Sequence, residues 1–315
     1  MLVWALTLAL VQDPEPPDPK VEIPHLLKAL ESKEAEDRKQ ALEGLLGYGE
    51  QAKSRTLSAL RRLKANELRN YKNARRTFHQ KLASGRDSAK IDSLRKEALS
   101  LLQQKQNEQM RPVVEKLLEL YYPDMKTADS DPKVSEAAAR LVEIEGMIGR
   151  WEEKTEDVRA VLAKAAEDMD QIGFYLLVPA QDAGTLERNR KMQKDVEPQE
   201  YKFTVILNRY RIALDKGALE IDVKLCKAAR GHSKDMKEKN FFSHDSPVPG
   251  KQTPQMRAAA EGTGCFSENI TRAGTTPEEA FWSWFKSTAG HHENMIGGAG
   301  RIGIGNFQEM WTANF

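Results

Sequence analysis

The chain has 315 residues, 30% of them charged and 7% aromatic, with a formal net charge of +1. That length holds two ordinary domains, and a near-neutral balance with no basic run excludes the electrostatic footprint of a nucleic-acid-binding protein. The charge-rich, aromatic-poor mixture favours helix-rich surfaces over a dense β core.

The chain opens with MLVWALTLALVQDPEPPDPK. Its apolar run of about ten residues makes roughly 15 Å of helix, half a bilayer, so a permanent span is not expected. Residues 1–12 read as an export signal with a cleavage site near Ala9, although no lysine or arginine precedes the run, and residues 13–22 as a Pro-rich linker. No transmembrane span is expected after signal removal, and the expected location is secreted, periplasmic or at the cell envelope. Cys226 and Cys265, the two cysteines, suit an exported protein with one bridge, which closes a loop of about forty residues and stabilises by up to ~4 kcal/mol. The alternative is a pair of buried thiols.

Residues 23–177 read as an α-helical region. Leu26, Leu27, Leu30, Ala41, Leu42, Leu45 and Leu46 recur at helical spacing around a polar break, like one helix pair of the HEAT type, which cannot bury its face alone. Leu60, Leu68, Tyr71, Phe78 and Leu82 continue the stripe along a helix over 57–84. Gly85 then serves as a C-terminal cap and Asp87 or Ser88 opens a return arm carrying Ile91, Leu94, Ala98 and Leu101, a long helical hairpin. Arg61, Arg62, Arg69, Arg75 and Arg76 read as a solvated basic face. Pro112 and Pro132 sit at first-turn positions of two further helices. His25 and His79 are isolated, without metal-ligand spacing, so this half reads as a scaffold or a surface for a protein partner. Residues 178–199 lose periodicity and read as a linker.

From residue 200 glycines and aromatics cluster, and four of the six histidines appear: His232, His244, His291 and His292. TTPEEAFWSWFKS starts a helix with Thr276 as cap, Pro277 at the first position and Glu279 closing a capping box. RIGIGNF and EMWTANF alternate like paired strands. GAGRIG spells a dinucleotide fingerprint, but no strand precedes it and too little chain follows for the rest of that unit. His232 falls on a helix face with Leu225 and Ala229 and reads as packing.

The fragments LNRYR, LCKAARGHSKDM, FFSHDSP, TPQMRAAAEG, SENI, WSWFKSTAGHHENMI, IGIG and WTANF, in that order, resemble the CAP superfamily (SCP-like; cysteine-rich secretory protein, antigen 5, pathogenesis-related), nearest its bacterial branch. The resemblance covers residues 200–315 and implies an α+β fold: a C-terminal three-layer α-β-α CAP sandwich preceded by the all-α helical region with its long hairpin. It implies a cleft lined by two histidines and two acids. His244, Glu268 and His291 take three of those positions; the second acid falls at Ser287, and Glu293 is a candidate substitute. His292 stands where the family often has arginine and is expected at the rim. Cys265 is displaced by one residue from the family's usual cysteine, so the inherited disulfide pattern does not carry over.

Two neutral imidazoles facing each other suit a divalent cation, and the family implies zinc, calcium or magnesium at His244 and His291. The expected function is an exported module binding a metal or a small apolar or peptide ligand, with the helical region as scaffold. The alternatives are a metal-assisted hydrolase of peptidase type with Glu268 as base, and a structural role at the cell envelope.

Overall fold

The computed structural model describes residues 17–315; the expected export signal lies outside the described residues. Two compact units divide the chain, one formed by residues up to Phe78 with Lys126–Asp170, the other by His79–Met125 with Gln171–Phe315.

In the first unit α1 (Pro19–Ala29) pairs with α2 (Ala35–Gly47), the expected HEAT-like pair. Their apolar faces reach Leu60 on α3 (Glu50–Ser84) and Ile144 on α6 (Pro132–Gly149), so the pair is buried by other helices rather than by repeats. Tyr71 of α3 packs with Leu141 of α6 and Ala165 of α7 (Val158–Tyr175). Arg75 departs from the expected solvated face: it is fully buried. Its guanidinium donates to Asp170 at 2.8 and 3.0 Å, to Asp129 and to the Tyr71 hydroxyl. Helical spacing alone does not reveal such a partner, because both aspartates come from distant sequence.

In the second unit Asp87 caps α4 (Ser88–Gln103) by accepting from Lys90 N at 2.9 Å, as its position predicts. The return arm packs against α5 (Asn107–Tyr121), and both join a core with Phe203 and Trp284. A 3₁₀ segment (Met125–Ser130) follows. Residues expected as a linker instead form α8 (Ala180–Met192) and a second 3₁₀ turn (Gln193–Asp195). Asp182 and Asn189 explain the difference: they are buried and hydrogen-bonded to the backbone of residues 218–221, a role that needs polar side chains and hides the helical period.

The sheet-bearing part begins with α9 (Pro198–Ala213) and continues through β1 (Glu220–Ile221), α10 (Val223–Glu238), α11 (Pro254–Ala260), β2 (Glu268–Thr271) and α12 (Pro277–Lys286). It ends with α13 (His291–Ile296), β3 (Arg301–Phe307) and β4 (Met310–Asn314). The strand order is β1-β3-β4-β2, with β1 parallel to β3 and the other pairs antiparallel. Alternation assigns the faces: Ile302, Ile304, Trp311 and Ala313 meet Phe203, Tyr210, Phe281 and Trp284 from α9 and α12. On the opposite face α10 lies against β3 and β4, where Ser233 Oγ donates to Gly305 O at 3.0 Å and meets Thr312 Oγ1 at 2.9 Å. Helices cover both faces of the sheet, giving the α-β-α layering. The Thr276–Glu279 capping box forms as expected at α12.

Candidate functional site

Four segments of the second unit deliver the site. α10 contributes His232, the loop after it His244, β2 opens with Glu268, and the turn from α12 to α13 supplies Ser287 and His291. The His244 loop is closed by Ser246 N donating to Gln252 O at 2.8 Å. Phe241 beside it packs on Met236 and Ile270, which sets the backbone direction at the histidine. Gly290, at φ 92, makes the reversal that starts α13 at His291.

Glu268 is the hub. Its side chain is 1% exposed; Oε2 accepts from Arg257 Nη2 at 2.7 Å, and Oε1 from His244 Nδ1 at 2.9 Å. Arg257, also 1% exposed in its side chain, donates further to the carbonyls of Lys251 and Gln252 at 3.0 and 3.3 Å. His232 stands behind, with Nε2 3.0 Å from Ser243 O and 3.8 Å from Glu268 Oε1. Two cationic or cation-capable partners therefore take both carboxylate oxygens.

The two cleft imidazoles differ electrically. The hydrogen bond it donates to Glu268 raises the pKa of His244. His291 is lowered, first by burial and then by the neighbouring charge of His244, so the two rings sense each other. Ser287 Oγ lies 2.8 Å from His291 Nδ1 and accepts from Ala289 N at 3.2 Å. The hydroxyl keeps its proton free to donate to Nδ1, the arrangement in which the neutral ring carries its own proton on Nε2. An unfolded imidazole titrates near pH 6.5. Protonated His244 thus supports the fold below about 6.5 and loses that contribution as pH rises through its raised pKa. His291 acts in the opposite sense, opposing folding as pH falls below about 6.5. Since the His244 side chain is 49% exposed, its contribution is screened to roughly 1 kcal/mol or less.

Of the residues expected from the sequence, His244 and Glu268 are in direct contact, Ser287 and His291 form a second pair, and His244 is near enough for its charge to lower the pKa of His291. Ser287 occupies the missing acid's place as a hydroxyl partner. Glu293 is exposed on α13 and lines a surface pocket of about 410 Å³ with Phe266, Ser267 and Asn294. It does not take the acid's place, because Ser287 already holds Nδ1 of His291. His292 is buried instead of lying at the rim: Nε2 meets the Tyr210 hydroxyl at 2.7 Å, its ring tilts on Phe285, and burial drives its pKa down to about 4. One residue of helix rotation separates a cleft side chain from a core one. Asn269 faces inward, donating to His291 O and accepting from Asn294 Nδ2, each at 2.8 Å.

Arg257 and His232 were not singled out as site residues by the sequence. Arg257 lies in one of the family-like fragments, but its role appears only when α11 places it behind Glu268; burial pushes His232 down to about 4. Cys226 and Cys265 are free, buried thiols rather than a bridge. Cys226 packs with Val196 and Ile221, Cys265 with Leu225 and Ala258, in separate clusters, and burial raises their pKa values to about 12 and about 11.

The donor set does not fit a resident metal. A catalytic zinc takes three protein ligands, and calcium or magnesium takes mostly oxygens. Among the described residues the expected ligand set offers two imidazoles, and Glu268 already accepts a hydrogen bond on each oxygen. Among the described residues no three histidine, cysteine, aspartate or glutamate side chains gather around one ion position. The expected ligand role of His244 and His291 is not matched by this geometry.

Comparison with known proteins gives a concordant answer for this part of the chain. The model of the cysteine-rich secretory protein family (CAP) matches residues 206–306. The uncharacterized protein YkwD of Bacillus subtilis (strain 168) is 34% identical over 123 residues, 38% of this chain and 48% of that protein. The uncharacterized membrane protein YlbC of the same strain is 28% identical over 130 residues, 41% of this chain and 36% of that protein. The chain thus spans about half, or less, of the length of these relatives. A solved extracellular protein containing an SCP domain from Bacillus anthracis str. Ames is 29% identical, covers 40% of this chain and 42% of that one, and has a TM-score of 0.35. The ordered fragments, the layered fold, the His244–Glu268 contact and the family match together make the C-terminal part of this chain a CAP domain of the cysteine-rich secretory protein family.

Proposed function

We propose that the CAP domain is a metal-independent binding module whose cleft holds an acceptor group of a small or peptide ligand between two imidazole N–H donors. His244 is the cationic donor, oriented by Glu268, and His291 the neutral one, oriented by Ser287. The observation that carries the reading is the occupation of both Glu268 oxygens by Arg257 and His244. A general base must reach the proton it removes, and this carboxylate is enclosed, 1% exposed with a donor already on each oxygen. The ligand therefore meets fixed hydrogen-bond donors, with apolar surface such as the 43%-exposed Phe242 nearby in sequence.

The module is proposed to work outside the cytoplasm or at the cell envelope, with the first unit as a scaffold for a protein partner. The apolar opening run supports export, and among the described residues no helix is long and apolar enough to cross a membrane.

Native mass spectrometry with elemental analysis on full-length protein from its own host tests the reading. The expected result is a co-purifying organic species without stoichiometric metal, together with no turnover of a broad peptide panel with or without added zinc. Stoichiometric zinc that disappears in the H244A/H291A variant, or hydrolysis abolished by a chelator, would overturn it in favour of the metal-assisted peptidase.

A further inference from the structure

A second binding site lies where α5 faces α12. These helices bound a pocket of about 650 Å³, within the size range of small-ligand sites. Its wall includes Asn107, whose Nδ2 donates to Ser287 O at 2.8 Å while Oδ1 is buried without a partner among the described residues. Buried polar atoms are nearly always paired, so this unmatched acceptor is open to a donor from outside the chain, a water or a ligand hydroxyl.

The mouth carries three cations. Arg111 lies over the Trp282 ring at 4.3 Å and pairs with Glu115 at 2.9 Å. Arg272 rests over Phe242 at 4.7 Å, and neither it nor Lys286 is in an ion pair among the described residues. Two carboxylates share the lining. Glu279 accepts from the Thr275 and Thr276 amides at 3.1 and 3.0 Å, so it and Glu108 are two opposing charges against three cations. The site therefore combines unpaired positive charge at the mouth with an acceptor in the wall.

We propose that this pocket binds an acidic sugar: its carboxylate engages Arg272 and Lys286, and a hydroxyl donates to Asn107 Oδ1. The anionic group answers the mouth through charge-assisted hydrogen bonds, and the polyol answers the wall. Because α5 lies outside residues 206–306, the helical region completes a site that the CAP domain lacks by itself. The pocket is independent of the cleft's ligand, so its failure leaves the cleft reading standing.

Calorimetric titration of the full chain with D-glucuronate, D-glucose and acetate tests this. Saturable glucuronate binding is expected, at least tenfold weaker in the R272A/K286A variant, with glucose and acetate each at least tenfold weaker than glucuronate. Both substituted residues are exposed, so the variant should fold. Glucose binding as tight as glucuronate, acetate binding as tight as glucuronate, or unchanged binding by R272A/K286A would each overturn the proposal, as would no glucuronate binding.

Discussion

Replacing Arg257 by methionine should destabilise the protein by about 3–5 kcal/mol, the cost of leaving one member of a buried ion pair alone. The guanidinium is 1% exposed and satisfies Glu268 and two backbone carbonyls at once. Methionine fills much of the volume but returns none of those donors, and His244, half exposed, reaches only the other carboxylate oxygen. The R257M/E268M double variant should recover a large part of the loss, since two apolar side chains leave no buried charge to solvate. Urea unfolding followed by tryptophan fluorescence reports on this unit through Trp282, Trp284 and Trp311. An R257M variant within about 1 kcal/mol of the parent would contradict the role given to the pair.

The second large effect is expected at Gly305. This residue lies on β3, paired with Thr312 of β4, on the face where α10 presses against the sheet. A Cβ there would run into the backbone of Ala229 and Arg230. Neither side can yield easily, because the strand is held by its ladder and the helix by its own hydrogen bonds. Gly305→Ala should therefore cost about 3 kcal/mol or more, at the upper end of overpacking penalties. The same urea melts check it; a variant as stable as the parent would show that the helix–sheet spacing is adjustable.

The two predictions rest on features of unequal visibility in the sequence. The pattern RIGIGNF alternates like one of two paired strands, but the close approach of α10 at its glycines is visible only in the fold. The capping box at Thr276 and the cap at Asp87 are local signals, and both form as read. His244, Glu268 and His291 were legible through ordered motifs, each flanked by residues that fix its local turn. Arg257 was not, because its partner is eleven residues away across a loop and nothing local distinguishes it from a surface arginine. Arg75 misled for the same reason, its two aspartates lying 54 and 95 residues away. α8 was hidden because its buried positions are Asp182 and Asn189, polar residues whose carbonyl and amide partners exist only in the folded chain. Helical period reports apolar burial, and these side chains are buried for hydrogen bonding instead.

The site also shows why a missing acid need not empty a position. Ser287 lies four residues before His291 and satisfies its Nδ1 with a hydroxyl, keeping the ring oriented without adding charge. The cleft then holds one carboxylate rather than two, and the pKa values of the two histidines move in opposite directions. The proposed recognition by two N–H donors rests on that asymmetry.

The most direct test is an NMR titration of the imidazole resonances in the intact chain, parent against E268Q. The account predicts a His244 pKa above and a His291 pKa below the ordinary value near 6.5. With E268Q, His244 should fall toward that value, and His291 should rise as its neighbour loses charge. Two histidines titrating together near 6.5, unmoved by E268Q, would contradict the account.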